Sequence, residues 1–262
     1  MPDPNTQYLD VGIGADHRRI AVLQDEGRAP GLIWLPGFKS DMVSTKATFL
    51  SEWAREKGLA CTRLDYSGHG QSGGRFEDGT VGRWLEETRA VFTRMTQGPM
   101  VVVGSSMGGY IALLLLRQLM AEAPEEAARI KALVLIAPAW DMTEELMWKE
   151  FPDDVRQEVM EKGVWLRPSA YGDPYPITRG LIEEGRNHLF ARIPWNPGRP
   201  VHILQGLQDP DVPAEHTREL ERFLTGGWTR LITVPDGDHR LSRPEDLELL
   251  AKVLGQVTES MS

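Results

Sequence analysis

The stretch Pro99 to Leu116, PMVVVGSSMGGYIALLLL, constrains the fold more than any other part of the chain. Met100 to Val103 is a run of apolar, mostly β-branched residues of the kind that fills a strand buried on both faces of a parallel sheet. The chain then turns through Gly104-Ser105-Ser106-Met107-Gly108 and continues as an apolar run too long for a second strand and rich in helix formers. Strand, sharp turn and helix, with Gly-x-Ser-x-Gly at the turn, predict a nucleophile elbow. In such an elbow Ser106 sits at a strained turn that lifts its hydroxyl above the sheet, and N–H groups of the new helix point at whatever the hydroxyl attacks. A bare match to Gly-x-Ser-x-Gly carries little weight; the strand and helix around it carry the reading. The spacing leaves Ser105 one position short of the nucleophile.

The rest of the chain supplies a sheet around this element. Gln7 to Val11 and Arg19 to Leu23 alternate in the manner of strands about Gly12-Ile13-Gly14 and read as an opening antiparallel hairpin. Gly31 to Leu35, Cys61 to Tyr66, Ala132 to Ala137, Val201 to Leu204 and Leu231 to Val234 read as further strands, which with the elbow strand makes eight. Helices are expected from Asp41, as N-cap, to about Lys57, and over Thr80 to Met95, Pro213 to Leu224 and Pro244 to Val257. Strands alternating with helices imply a mostly parallel sheet with helices on both faces.

The rhythm breaks between 141 and 198. Helix-like segments stand at Glu144 to Phe151, Asp153 to Glu161 and Thr178 to Phe190, with proline-rich turns and no convincing strand. The expectation is a core of residues 1–140 and 199–262 with 141–198 as a helical lid inserted at the carboxyl end of a strand.

A serine nucleophile needs a base, and the base needs an orienting acid. His239, in Pro235-Asp236-Gly237-Asp238-His239 between the last strand and the last helix, is placed for the base. His202 lies in a strand and His216 on a surface-looking helix. Asp209, three residues after Gly206 and close to a strand end, is preferred as the acid over Asp211, which fits a turn or cap. Oxyanion charge would meet the N–H of Met107, which follows the nucleophile, and of Phe38, in the loop after the third strand. In the lid, Trp140, Met142, Met147, Trp148, Phe151, Trp165, Phe190 and Trp195 are candidates to line an acyl groove, and His188 beside Arg186 to meet a polar or anionic leaving group.

Composition excludes other classes. Lys and Arg total 29 against 38 Asp and Glu, a net charge of −9 that disfavours nucleic acid and anionic membrane surfaces. No apolar run is long enough for a membrane span, and the N-terminus has no signal-peptide pattern, so the expected location is the cytoplasm. The one cysteine, Cys61, reads as a small buried residue. No cluster has metal-ligand spacing, so neither metal nor organic cofactor is expected.

The segments Leu35-Pro36-Gly37-Phe38 with Ser40-Asp41-Met42, Asp65-Tyr66-Ser67-Gly68, Gly104-Ser105-Ser106-Met107-Gly108-Gly109, Lys162-Gly163-Val164-Trp165 with Pro168-Ser169, and Asp238-His239-Arg240 add a more specific likeness. Together they resemble the α/β-hydrolase family that contains mitochondrial palmitoyl-protein thioesterase, also known as mycophenolic acid acyl-glucuronide esterase. The resemblance spans nearly the whole chain, lid included, and implies the α/β-hydrolase fold and hydrolysis of a small-molecule carboxylic ester or an S-acylated substrate. Ser106, Asp209 and His239 match the family's triad positions. A departure is the lack of a mitochondrial presequence, which suggests a bacterial or cytosolic relative. Peptidase or carbon–carbon bond hydrolase chemistry on the same triad, and a non-catalytic receptor, are the alternatives.

Overall fold

The computed structural model describes residues 4–168 and 174–261; Ser169 of the Pro168-Ser169 pair lies outside them. The chain opens with β1 (Gln7–Val11), β2 (Arg18–Asp25), β3 (Arg28–Leu35), α1 (Thr45–Glu56), β4 (Leu59–Leu64) and α2 (Val81–Met95). It continues through β5 (Met100–Ser105), α3 (Met107–Glu122), the short α4 (Pro124–Arg129) and β6 (Ile130–Ile136). These strands and two later ones form one eight-stranded sheet in the order β1-β2-β4-β3-β5-β6, followed by β9 (Val201–Gly206) and β10 (Thr229–Val234). β1 and β2 pair antiparallel, as do β2 and β4, and every later pairing is parallel. This is the mostly parallel sheet that the strand rhythm implied, in the α/β-hydrolase fold that the resemblance implied.

Period-two alternation in the central strands feeds two cores. Ile33, Leu35, Val102 and Leu135 point to one face and pack beneath Trp84 and Phe92 of α2 and the apolar length of α3. Leu32, Trp34, Val101, Val103 and Val134 point to the other and meet Leu50 and Trp53 of α1 and Leu250 and Leu254 of α8 (Pro244–Glu259). Because α3 lies against the sheet and is covered by other helices, it is apolar nearly all round.

Two local expectations are corrected. Helix α1 starts at Thr45 with Ser44 as its N-cap, and Asp41 instead accepts the Val43 N–H at 3.0 Å, closing a turn before the helix begins. The chain between β6 and β9 is not purely helical: one π-helical turn (Thr143–Trp148) and α5 (Asp153–Lys162) are followed by β7 (Val164–Arg167) and β8 (Tyr175–Thr178), an antiparallel pair, and then α6 (Arg179–Gly185). Strands of four residues bracketed by prolines give too little alternation to read from sequence. The end of this segment is tied to α3 and to the segment's own start. Arg117 of α3 donates to His188 O at 2.8 Å and Leu189 O at 3.2 Å, and the buried Asp141 carboxylate accepts the Phe190 N–H at 3.0 Å. After β9, α7 (Ala214–Phe223) crosses to β10.

Candidate active site

Ser106 stands between the last residue of β5 and the first of α3 with φ 53° and ψ −118°. A non-glycine residue held there costs about 1–3 kcal/mol, which the surrounding packing must offset. The turn is locked by Ser106 N–H donating to Ile136 O at 2.8 Å and by Ser106 O accepting from Gly109 N–H at 2.9 Å and Ala139 N–H at 3.1 Å. Gly108 has to be glycine, because a Cβ there would lie 2.0 Å from Leu35 O. That close approach seats the start of α3 directly against the carboxyl end of β3.

The structure brings Ser106, His239 and Asp209 together from three strand ends. His239, on the loop after β10, has Nε2 3.0 Å from Ser106 Oγ and Nδ1 2.8 Å from Asp209 Oδ2. A carboxylate only accepts, so Nδ1 carries the ring proton and Nε2 is left to accept from the serine hydroxyl. Asp209, on the turn after β9, has a fully buried side chain, and its Oδ1 accepts the N–H groups of Asp211 at 2.8 Å and Val212 at 2.9 Å. Gln205 Nε2 approaches Oδ2 at 3.4 Å. Asp211 is exposed and contributes its backbone to holding Asp209.

Met107 is the first residue of α3, so its N–H has no partner within the helix. Across from it, an added Cβ on Gly37 would sit 3.3 Å from Ser106 Cβ, so the loop after β3 passes tight against the nucleophile and carries Phe38 at its rim. These positions suit two backbone donors to an oxygen bonded at the carbon Ser106 would attack.

A cavity of about 670 Å³ opens over Ser106. Trp34, Phe38, Met142, Leu146, Met147 and Tyr175 give it apolar walls, and Lys39, Lys46, Arg167, Arg240 and Asp211 line it with charge. Lys46 reaches in from α1 and donates to Arg240 O and Ser242 Oγ; burial lowers its pKa to about 8. Among the described residues, the only group with metal-ligand spacing is Asp209, Asp211 and His239, with ligand atoms within 4.8 Å of one another. Both nitrogens of His239 already face hydrogen-bond partners there.

Of the lid candidates, Met142 and Met147 line this cavity; Trp140, Trp148, Phe151, Trp165, His188, Phe190 and Trp195 are not among its lining residues. Trp140 is buried, donates to His216 O at 3.0 Å and stacks on the His216 and Phe223 rings. His216 itself is buried and donates from Nε2 to Trp140 O at 2.8 Å, not surface-exposed as its helix suggested. Trp148 faces the Arg156 and Arg186 guanidinium groups, and Trp165 meets Phe151 edge-on. His188 Nε2 lies 2.5 Å from Glu184 Oε1, and Phe190 packs among Tyr110, Trp195 and Phe223. Trp140 and Phe190 tie the segment to α7 and α3, whereas Trp148 and Trp165 pack within the segment itself. The lining residues that sequence reasoning missed, chiefly Tyr175, Arg167 and Lys46, sit on the unread hairpin and on the exposed-looking start of α1.

No helix among the described residues is long and apolar enough to cross a membrane. Residues 32–179 match the family model described as serine aminopeptidase, S33. The chain is 31% identical to human palmitoyl-protein thioesterase ABHD10, mitochondrial, over 249 residues that cover 94% of this chain and 79% of that protein. Among solved structures, a putative hydrolase from Agrobacterium vitis S4 is 42% identical, with TM-score 0.93 and coverage of 97% of this chain and 98% of that one. Mouse alpha/beta hydrolase domain-containing protein 10 is 28% identical, with TM-score 0.85 and coverage of 98% and 99%.

Proposed function

This chain belongs to the α/β-hydrolase family of the serine aminopeptidase S33 model and of palmitoyl-protein thioesterase ABHD10, and from that premise we propose that it is a serine hydrolase of carboxylic esters or thioesters. The observation that carries the proposal is the continuous hydrogen-bond line Ser106 Oγ, His239, Asp209 at 3.0 Å and 2.8 Å, opening into a cavity with apolar walls.

In the proposed reaction His239 Nε2 takes the Ser106 proton as Oγ attacks the acyl carbonyl carbon. The carbonyl oxygen becomes an oxyanion, and the N–H groups of Phe38 and Met107 donate to it; such a donor is worth about 10²–10³ in rate. Collapse expels the alcohol or thiol, which receives the proton from His239, and leaves Ser106 acylated. Water, deprotonated by the same His239, then releases the acid and restores the serine. Asp209 holds the ring with its proton on Nδ1 and stabilises the imidazolium formed in each step. The 141–198 segment acts as the lid, with Met142, Leu146 and Met147 against the acyl group.

The charge around the cavity supports ester or thioester hydrolysis over aminopeptidase action. An α-ammonium group calls for carboxylates, whereas the lining includes Lys39, Lys46, Arg167 and Arg240 against Asp211. The test is labelling with a fluorophosphonate, together with a chain-length series of p-nitrophenyl esters, S-acyl peptide thioesters and aminoacyl p-nitroanilides. Expected are an adduct on Ser106 and turnover of the esters or thioesters. An inert Ser106, or cleavage of the anilides alone, overturns the proposal.

A further inference from the structure

The loop after β3 meets the loop after β4 beside Ser106, and two hydrogen bonds join them. Met42 N–H donates to Asp65 Oδ1 at 2.6 Å, and Lys39 N–H donates to His69 Nε2 at 3.1 Å. The second requires a bare Nε2, and the structure supplies the reason it is bare. His69 Nδ1 lies 3.1 Å from Ser67 O, and a carbonyl oxygen only accepts, so the ring proton sits on Nδ1. The ring is 5% exposed and packs edge-on against Tyr66, Phe76 and Trp84 at 5.8, 5.0 and 5.5 Å between centroids. Burial, with the Lys39 ammonium as a lesser cause, pushes its pKa down to about 4, so the ring is neutral at ordinary pH.

What His69 grips is a strained peptide. Lys39 has φ 58°, in the left-handed region that a lysine enters only where its surroundings hold it. Phe38 immediately precedes it, with its ring 6.4 Å from that of His69, and Gly37 presses the same loop against Ser106. The Gly37 carbonyl, in the same peptide unit as the Phe38 N–H, accepts the Ser40 N–H at 3.1 Å, and with the next amide, Lys39 N–H, held by His69 that unit has little freedom to rotate.

We propose that His69 is a positioning residue for the oxyanion hole: by accepting the Lys39 N–H through Nε2 it keeps the Phe38 N–H aimed at the oxygen that turns negative when Ser106 attacks. The proposal rests on the reading of Phe38 as an oxyanion donor. His69 never touches substrate, and its effect belongs to the transition state, where the donor is used, rather than to ground-state binding.

His69→Leu and His69→Gln test this, since both approximate the ring's bulk and only Gln retains an acceptor. Steady-state kinetics on an accepted ester is paired with the affinity for a trifluoromethyl ketone, whose serine adduct carries the oxyanion. His69→Leu is expected to lower kcat about 10–100-fold, to weaken the ketone by a similar factor and to move KM less than about threefold. His69→Gln is expected to recover most of that loss. Equal behaviour of the two variants, or a loss confined to KM, overturns the proposal. If neither variant folds, ¹⁵N spectra of the wild-type chain decide: His69 should keep the Nδ1–H tautomer from pH 5 to 8, and an Nε2–H tautomer or titration near 6.5 overturns it. Full activity in His69→Leu sinks only this inference, whereas an unreactive Ser106 in the wild-type chain sinks the hydrolase reading beneath it.

Discussion

The sheet edge at Ser106 and the segment between β6 and β9 build their surfaces in different ways. At the sheet edge, each chemically competent side chain stands on a turn directly after a strand, and the parallel sheet brings those turns to one side. In the inserted segment, Trp140, Trp148, Trp165 and Phe190 are dense along the sequence, yet their rings go to His216, to arginines, to Phe151 and to Tyr110 and Phe223. Position relative to a strand end therefore says more about a residue's use than its chemical type does. A large apolar side chain has many ways to be buried, and lining a cavity is only one of them.

The largest effects should come from the sheet edge. Ser106→Ala is expected to lower kcat by at least about 10³-fold, and Asp209→Asn by about 10²–10⁴-fold, with unchanged circular dichroism and melting. Asp211→Asn should cost at least about tenfold less than Asp209→Asn in the same assay, because Asp211 supports the acid through its backbone N–H. The reverse ranking would break the strand-end rule at the one place where two carboxylates compete.

His69 gives the edge a signature in stability. Its folded pKa of about 4 lies below the unfolded value of about 6.5, so between those values the unfolded chain binds more protons, and this contribution to stability is lost as pH falls. Asp65 works in the opposite sense, its pKa raised by burial to about 6, so acidification through that range favours the folded state. The two partly cancel in the wild-type chain. Urea titrations at pH 7 and pH 4.5 should therefore find His69→Gln gaining about 2 kcal/mol on the wild type at the lower pH. A pH-independent difference would mean that His69 is not buried and neutral.

Substitutions in the inserted segment should be smaller and should sort by which side chains reach the cavity. Met147→Trp is expected to raise KM for the longest accepted acyl chain about 5–10-fold and to shift preference toward shorter ones, measured across an ester series. Trp140→Phe should leave that preference in place and cost about 1–2 kcal/mol in denaturant titration, from the His216 carbonyl left without its indole donor. A chain-length shift in Trp140→Phe without one in Met147→Trp would invert the comparison.

The sequence by itself determined the sheet, the strained turn at Ser106 and the loops that carry His239 and Asp209. Their signals are local: an apolar β-branched run, a glycine that admits no Cβ, a loop between a strand and a helix. Asp209 was separable from Asp211 by its distance from the strand end, and the fold places that carboxylate 2.8 Å from His239. The tertiary structure alone decided which apolar and cationic groups line the cavity. Tyr175 and Arg167 sit on strands too short to show a period, and Lys46 reads as a solvated helix residue until the loop after β10 closes over it. Only the packed structure also gave His69 its role, since an imidazole becomes an acceptor for a neighbouring loop once a carbonyl has claimed its other nitrogen and water has been excluded. Hydrophobic period and turn chemistry are written in adjacent residues, whereas cavity walls and tautomers depend on contacts between residues far apart in the chain.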